Sequence, residues 1–164
     1  MSDTVQPGSV KGNLSSQKLT GYEGRYMTFS LGGELYGTNI LKVRELIAMQ
    51  NVTRVPDTPP YLKGVMNLRG QVIAVLDLRL RLGLPEAERT DQTCIIIVDA
   101  GRTPAGMVVD RVQEVVDFPA GSIERAPTFR QQTDEGFILA VGKMKNGLVL
   151  LLDTEKVLTI RDEA

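Results

Sequence analysis

The chain runs through nearly the same pattern twice, and this limits its fold more than any other feature. Gly37, Ile40, Val43, Glu45 and Ile47 recur as Gly106, Val109, Val112, Glu114 and Val116 at a constant offset of 69 positions. Arg54 and Pro56 recur as Arg125 and Pro127 at an offset of 71. Val65, Val72, Val75 and Asp77 recur as Val141, Leu148, Leu151 and Asp153 at an offset of 76. The offset grows only in stretches that read as loops, where insertions are tolerated. Gly, Glu, Pro and Asp recur together with the apolar positions, which indicates a duplicated structure rather than a shared composition.

Each copy is rich in strand signals. Residues 25–31 alternate and carry β-formers, so they read as a strand, and Gly32, Gly33 and Glu34 as a hairpin turn. Residues 35–47 fit a helix at Ile40, Val43 and Ile47. The matching stretch 106–116, however, is too rich in β-branched residues to prefer one. Both are therefore read as single returning strands. Residues 52–60 hold three prolines and form a loop or edge segment. Residues 64–76 form a hairpin turning at Arg69 and Gly70, and Asp77 is placed to cap a short helix, 78–82. Residues 93–99 are a continuous apolar strand. A second hairpin turns across Lys145, Asn146 and Gly147, where Asn-Gly signals a type I′ turn, and Asp153 caps a closing helix.

Several short strands per copy, joined by hairpins, predict a mainly β chain of two small barrels with short helices, since barrels remove exposed sheet edges. The expected boundaries are a disordered tail at 1–23, a first barrel at about 24–84, a linker at 85–92, a second barrel at about 93–153 and a closing helix at 154–160.

Residue types that are missing narrow the chemistry. The 164 residues include no His and one Cys, Cys94. This excludes a His-dependent nucleophile, an imidazole or thiolate zinc site, a phospho-accepting histidine and an internal disulfide. No Walker loop or dinucleotide glycine pattern is present. A net charge of −1 argues against nucleic acid as a partner. No apolar run approaches a membrane span, and the first residues lack a secretory h-region, so a cytoplasmic protein without membrane insertion is expected. Asp77 and Asp153 are equivalent carboxylates, but neither precedes Thr-Gly or Ser-Gly as in the aspartic proteases, and both suit a helix cap. Cys94 opens an apolar strand and reads as a small buried hydrophobe. No catalytic residue, metal ligand or cofactor is assigned. What remains is a binding module.

Arg69 is the unusual residue, a cation at the tip of an otherwise apolar hairpin. It reads as an anchor for an acidic group of a partner, as a partner of Glu45 on a neighbouring strand, or as a solvated turn residue. The equivalent turn in the second copy has no such motif, so the first copy keeps something a tight turn does not require.

The hairpin itself, GVMNLRGQVIAVLDLR, closely resembles the CheW family of chemotaxis coupling proteins. The family pattern is met at Gly64, Val65, Asn67, Leu68, Arg69, Gly70, Val75, Asp77, Leu78 and Arg79. Upstream it is met at Phe29, Leu31, Gly32, Tyr36, Gly37, Ile40, Leu41, Lys42, Val43 and Glu45, and downstream at Gly106, Val108, Val109, Asp110 and Val112. Members often carry proline where this chain has Ala74. The resemblance implies two five-stranded SH3-like barrels and a non-enzymatic adaptor joining transmembrane chemoreceptors to the histidine kinase CheA. It implies recruitment to membrane receptor arrays and a monomer in isolation. The receptor's cytoplasmic hairpin tip would dock in a groove lined or shaped by Val43, Glu45, Gly64, Arg69, Cys94, Ile95 and Gly106. The kinase's regulatory domain would pack barrel to barrel, through residues the sequence does not name. A coupling protein of a non-motility chemosensory pathway and a CheW-like regulatory module are the alternatives.

Overall fold

The computed structural model describes residues 21–125, apart from 102, and residues 136–160. Most of the expected tail and the loop around Pro127 lie outside the described residues. Strands β1 (Gly24–Leu31) and β2 (Glu34–Asn39) form the first hairpin. β2 then stops. The Asn39 side chain accepts a hydrogen bond from the Leu41 amide at 2.9 Å and starts a 3-10 turn, Ile40–Lys42. An Asn that binds nearby backbone in this way competes with the sheet ladder. β3 (Val43–Ala48) follows, in a different sheet. The single strand expected over 35–47 is thus two strands joined by a turn.

The second copy breaks at the same place. β6 (Cys94–Ala100) and β7 (Thr103–Val109) form a hairpin, and β8 (Arg111–Phe118) leaves for the other sheet after Asp110. The remaining elements are the hairpin of β4 (Leu62–Leu68) and β5 (Gln71–Asp77), helix α1 (Leu78–Arg81), the short β9 (Ile123–Arg125), the hairpin of β10 (Ile138–Met144) and β11 (Gly147–Leu152), and helix α2 (Thr154–Leu158). Both helices are capped as expected. Asp77 accepts from the Leu80 amide at 3.3 Å and Asp153 from the Lys156 amide at 3.1 Å.

These crossings change how the duplication is assembled. One sheet has the order β8-β1-β2-β11-β10-β9 and the other β3-β6-β7-β5-β4. β2 and β11 pair in parallel, as do β5 and β7. Shifting each strand to its equivalent in the other copy turns one order into the other. Each sheet therefore takes two leading strands from one copy and the trailing strands from the other. The contiguous barrels expected at 24–84 and 93–153 do not form, because the chain changes sheets at Ile40–Lys42 and at Asp110. The mainly β character with few short helices holds, and β9 adds a sixth strand to one sheet. Its counterpart is a single bridge between Thr53 and Val65.

Burial follows this plan. Each sheet encloses a small apolar cluster, Tyr26, Phe118, Ile123, Ala140, Val149 and Leu151 in one, and Met66, Ile73, Val75, Ile95 and Ile97 in the other. A larger cluster, including Phe29, Leu76, Ile96, Val98, Met107 and Leu152, lies on the opposite faces and draws on both sheets. β6 shows why its stretch 94–98 is uninterrupted by polar residues. Ile95 and Ile97 face one core while Ile96 and Val98 face the other.

The type I′ geometry falls on the first of the two hairpin turns, not the second. Leu68 pairs with Gln71, leaving Arg69 and Gly70 as a two-residue loop with φ of 51° and 89°. Two positive values are what a type I′ turn requires. In the second hairpin Met144 pairs with Gly147, so the loop is Lys145-Asn146 and neither residue has positive φ. The type I′ turn expected at Asn146-Gly147 is absent because the register places Gly147 in β11, with φ 154°.

Candidate functional site

Arg69 is the point from which the site is built. An L-residue at positive φ is crowded by its own Cβ, at a cost of about 1–2 kcal/mol. Two contacts hold this one. The Asn67 side chain accepts a hydrogen bond from the Gly70 amide at 2.8 Å across the turn. The guanidinium reaches from the hairpin tip to β3, where Nη1 and Nη2 donate to the two carboxylate oxygens of Glu45 at 2.7 and 2.6 Å. This bidentate match is specific to the planar guanidinium. The pairing holds the Glu45 carboxyl below the usual carboxylate range, mainly because Arg69 donates to it, and raises Arg69 for the same reason. The Arg69 side chain is 68% exposed and that of Glu45 30%, so the pair lies on open surface. Exposed Leu46 follows Glu45 on β3, and exposed Val72 lies on β5.

The equivalent place in the second copy lacks this arrangement. Glu114 and Lys145 correspond to Glu45 and Arg69, both are exposed, and no ion pair joins them. Lys143 stands where Asn67 does and bonds to Glu124 at 2.8 Å.

The other residues named from the resemblance fall into two groups. Val43 and Cys94 are half-buried and pack against the shared core. Burial pushes the Cys94 thiol up from its ordinary pKa. Gly64, Ile95 and Gly106 are interior. Ile95 is fully buried within its sheet, and a Cβ on Gly106 would meet its Cγ2 at 2.7 Å. Gly64 has φ 147°, and a Cβ there would lie 2.0 Å from the Thr53 carbonyl oxygen, so glycine is what lets residue 53 bridge to β4. These three can shape a surface from beneath but cannot line one. Glu45 and Arg69 are the two residues of the seven that the structure brings into direct contact at the surface.

Two polar contacts went unread in the sequence. Arg79 on α1 donates from Nε and Nη2 to Asp110 at 2.8 and 2.6 Å, and Asp110 also accepts from the Gly32 amide at 3.0 Å. This fixes the sheet crossing at Asp110 against the first hairpin. Arg81 is 92% buried; its Cζ lies 4.2 Å from the Tyr61 ring centroid and 4.7 Å from that of Phe137. It donates to the carbonyls of Val157, Thr159 and Lys156 at the end of α2, at 2.8, 2.6 and 3.2 Å. The available signal was spacing: Arg81 is three residues after Leu78, on the apolar side of α1.

Two clefts flank the linker, of about 390 and 270 Å³, sharing Lys63 and Asp77 in their walls. Neither includes any of the seven residues. Among the described residues no group of three His, Cys, Asp or Glu side chains could hold a metal, and no helix is long and apolar enough to cross a membrane. The geometry offers an exposed bidentate ion pair on a two-sheet β scaffold.

That combination fits an adaptor built on paired β units. The chain belongs to the CheW-like domain family, whose model matches residues 25–162. It is 37% identical to the chemotaxis protein CheW of Bacillus subtilis over 134 residues, covering 82% of this chain and 86% of that one. It is 34% identical to the chemotaxis protein CheW of Klebsiella aerogenes, covering 85% and 84%. The crystal structure of the scaffolding protein TtCheW from Thermoanaerobacter tengcongensis superimposes with a TM-score of 0.78 at 30% identity, over 86% of this chain and 96% of that one. The protein is a coupling adaptor of chemotaxis signalling.

Proposed function

We propose that the surface around Arg69 and Glu45 receives the cytoplasmic hairpin tip of a chemoreceptor, and that a separate face binds the regulatory domain of the histidine kinase CheA. The adaptor, a cytoplasmic monomer when isolated, is thereby recruited to receptor arrays at the membrane. Val43 and Cys94 flank the receptor surface, and Gly64, Ile95 and Gly106 fix its shape from below. The kinase-facing residues are not assigned.

One observation supports this reading above the others. Arg69 occupies a backbone conformation that arginine disfavours, and its copy in the second hairpin does not. Strain kept at one of two equivalent turns points to a role outside the fold. A planar donor fork with an apolar stem is also a frequent anchor at protein interfaces.

The test is Arg69→Glu in a pull-down with a receptor cytoplasmic fragment, alongside a thermal melt. Binding should fall by at least about tenfold, as for loss of an interfacial charge anchor, with the melt almost unmoved because the side chain is exposed. Unchanged binding would remove Arg69 from the receptor surface.

A further inference from the structure

We propose that Asn67 is the positioning residue for Arg69, setting the direction of the guanidinium without touching the partner. The proposal deepens the receptor-surface reading above and rests on it. A type I′ turn favours Asn-Gly at its two central positions. This hairpin has Arg-Gly instead, so its first central residue brings no intrinsic preference for the conformation it adopts. The asparagine stands two positions earlier, and its Oδ1 takes the Gly70 amide at 2.8 Å. That bond closes the turn from outside. It holds the segment from Leu68 to Gly70 in the conformation that aims Arg69 at β3, where Glu45 receives it at 2.6 and 2.7 Å.

The second copy shows the brace is not needed for a tight hairpin. Lys143 replaces Asn67 and faces Glu124, the loop residues Lys145 and Asn146 keep ordinary φ, and the strands still pair up to Met144 and Gly147. The brace is present in the copy that holds an arginine at positive φ. Asn67 is exposed, so a role in core packing does not account for it.

The experiment measures binding of a receptor cytoplasmic fragment to wild type, Asn67→Ala, Asn67→Asp, Arg69→Ala and the Asn67→Ala/Arg69→Ala double variant, with amide exchange at Gly70. Asn67→Ala should weaken binding by about threefold to tenfold, the scale of one lost hydrogen bond, and speed Gly70 exchange. Asn67→Asp, which still offers a carbonyl-type acceptor, should restore most of both. The double variant should bind no worse than Arg69→Ala, because a positioning residue has nothing left to position. Two results would overturn the proposal alone: an unchanged Asn67→Ala beside a weakened Arg69→Ala, or a further loss in the double variant, which would place Asn67 in direct contact. If Arg69→Ala binds as wild type does, the receptor-surface reading fails first and the positioning role with it.

Discussion

Replacing Arg81 by Met should cost about 4.5 kcal/mol, chiefly through three lost bonds to carbonyls at roughly 1.5 kcal/mol each from a charged donor. The guanidinium meets the carbonyls of Val157, Thr159 and Lys156 at 2.8, 2.6 and 3.2 Å, and lies between the rings of Tyr61 and Phe137. The ring contacts, being desolvated, add about 2 kcal/mol each. Methionine keeps apolar volume beside the rings and returns the cost of desolvating a charge, which offsets that addition. Because Arg81 lies on α1 and its acceptors on and just after α2, the loss falls on the junction between the two copies. Urea unfolding of wild type and Arg81→Met, followed by circular dichroism, gives the difference directly. A single transition should persist, with the midpoint in a thermal melt lowered by about 10 °C for a domain of this size. Arg81→Lys should fall between, since one ammonium cannot serve three acceptors and two rings in the same geometry. A difference below about 1 kcal/mol for Arg81→Met would show that the carbonyls are equally well served by water and that the clamp is incidental.

The exchange of strands predicts that separate fragments 24–84 and 93–160 are each unfolded, and that mixing them restores the β spectrum; a fragment that folds alone would contradict the shared sheets. Asp110→Asn should cost about 1–2 kcal/mol at neutral pH by removing a partly buried charged pair. Hydrogen bonding from Arg79 holds the Asp110 carboxyl below the usual range, so its contribution is present above the unfolded pKa and is lost as pH falls through the lowered folded value. The stability gap between wild type and Asp110→Asn, measured by urea unfolding across pH, should therefore close on acidification. A gap that widens would reverse the assigned sign.

How much of this was legible depends on what each residue's neighbours encode. The duplication was readable because polar residues with fixed duties recur: Asp77 and Asp153 cap equivalent helices, and their amides donate to the equivalent carbonyls of Tyr61 and Phe137 at 2.7 and 2.8 Å. The strand exchange was not readable. Residues 35–47 have the same β character whether the chain stays in one sheet or crosses, and the crossing depends on Asn39 taking the nearby Leu41 amide and on Asp110 meeting Arg79 and Gly32 far along the chain. The buried faces of β6 show the same limit. An uninterrupted apolar run says that both faces are covered, not which core takes Ile95. Glu45 and Arg69 could be named as candidate partners, but the conformation of Arg69 runs against its residue type. Only the register of the finished hairpin assigns it.

The two copies also serve as controls for each other, and they show that divergence alone does not mark function. Met66 corresponds to Gly142, and Met49 to Phe118. A Cβ on Gly142 would meet the Phe118 ring at 2.7 Å, so one copy has replaced two medium side chains by a large one and none. That change is packing compensation, complete within the interior. Arg81 and Val157 also differ, and there the gain is internal as well, because the arginine ties the end of α2 to α1. Arg69 and Lys145 differ in another way. The change introduces an unfavourable backbone conformation, requires an asparagine to hold it, and places its bidentate partner on open surface rather than in a core. An exposed pair of this kind contributes little to folding, so it does not offset the strain it depends on. Of these differences between the copies, this is the one whose return is not found within the molecule.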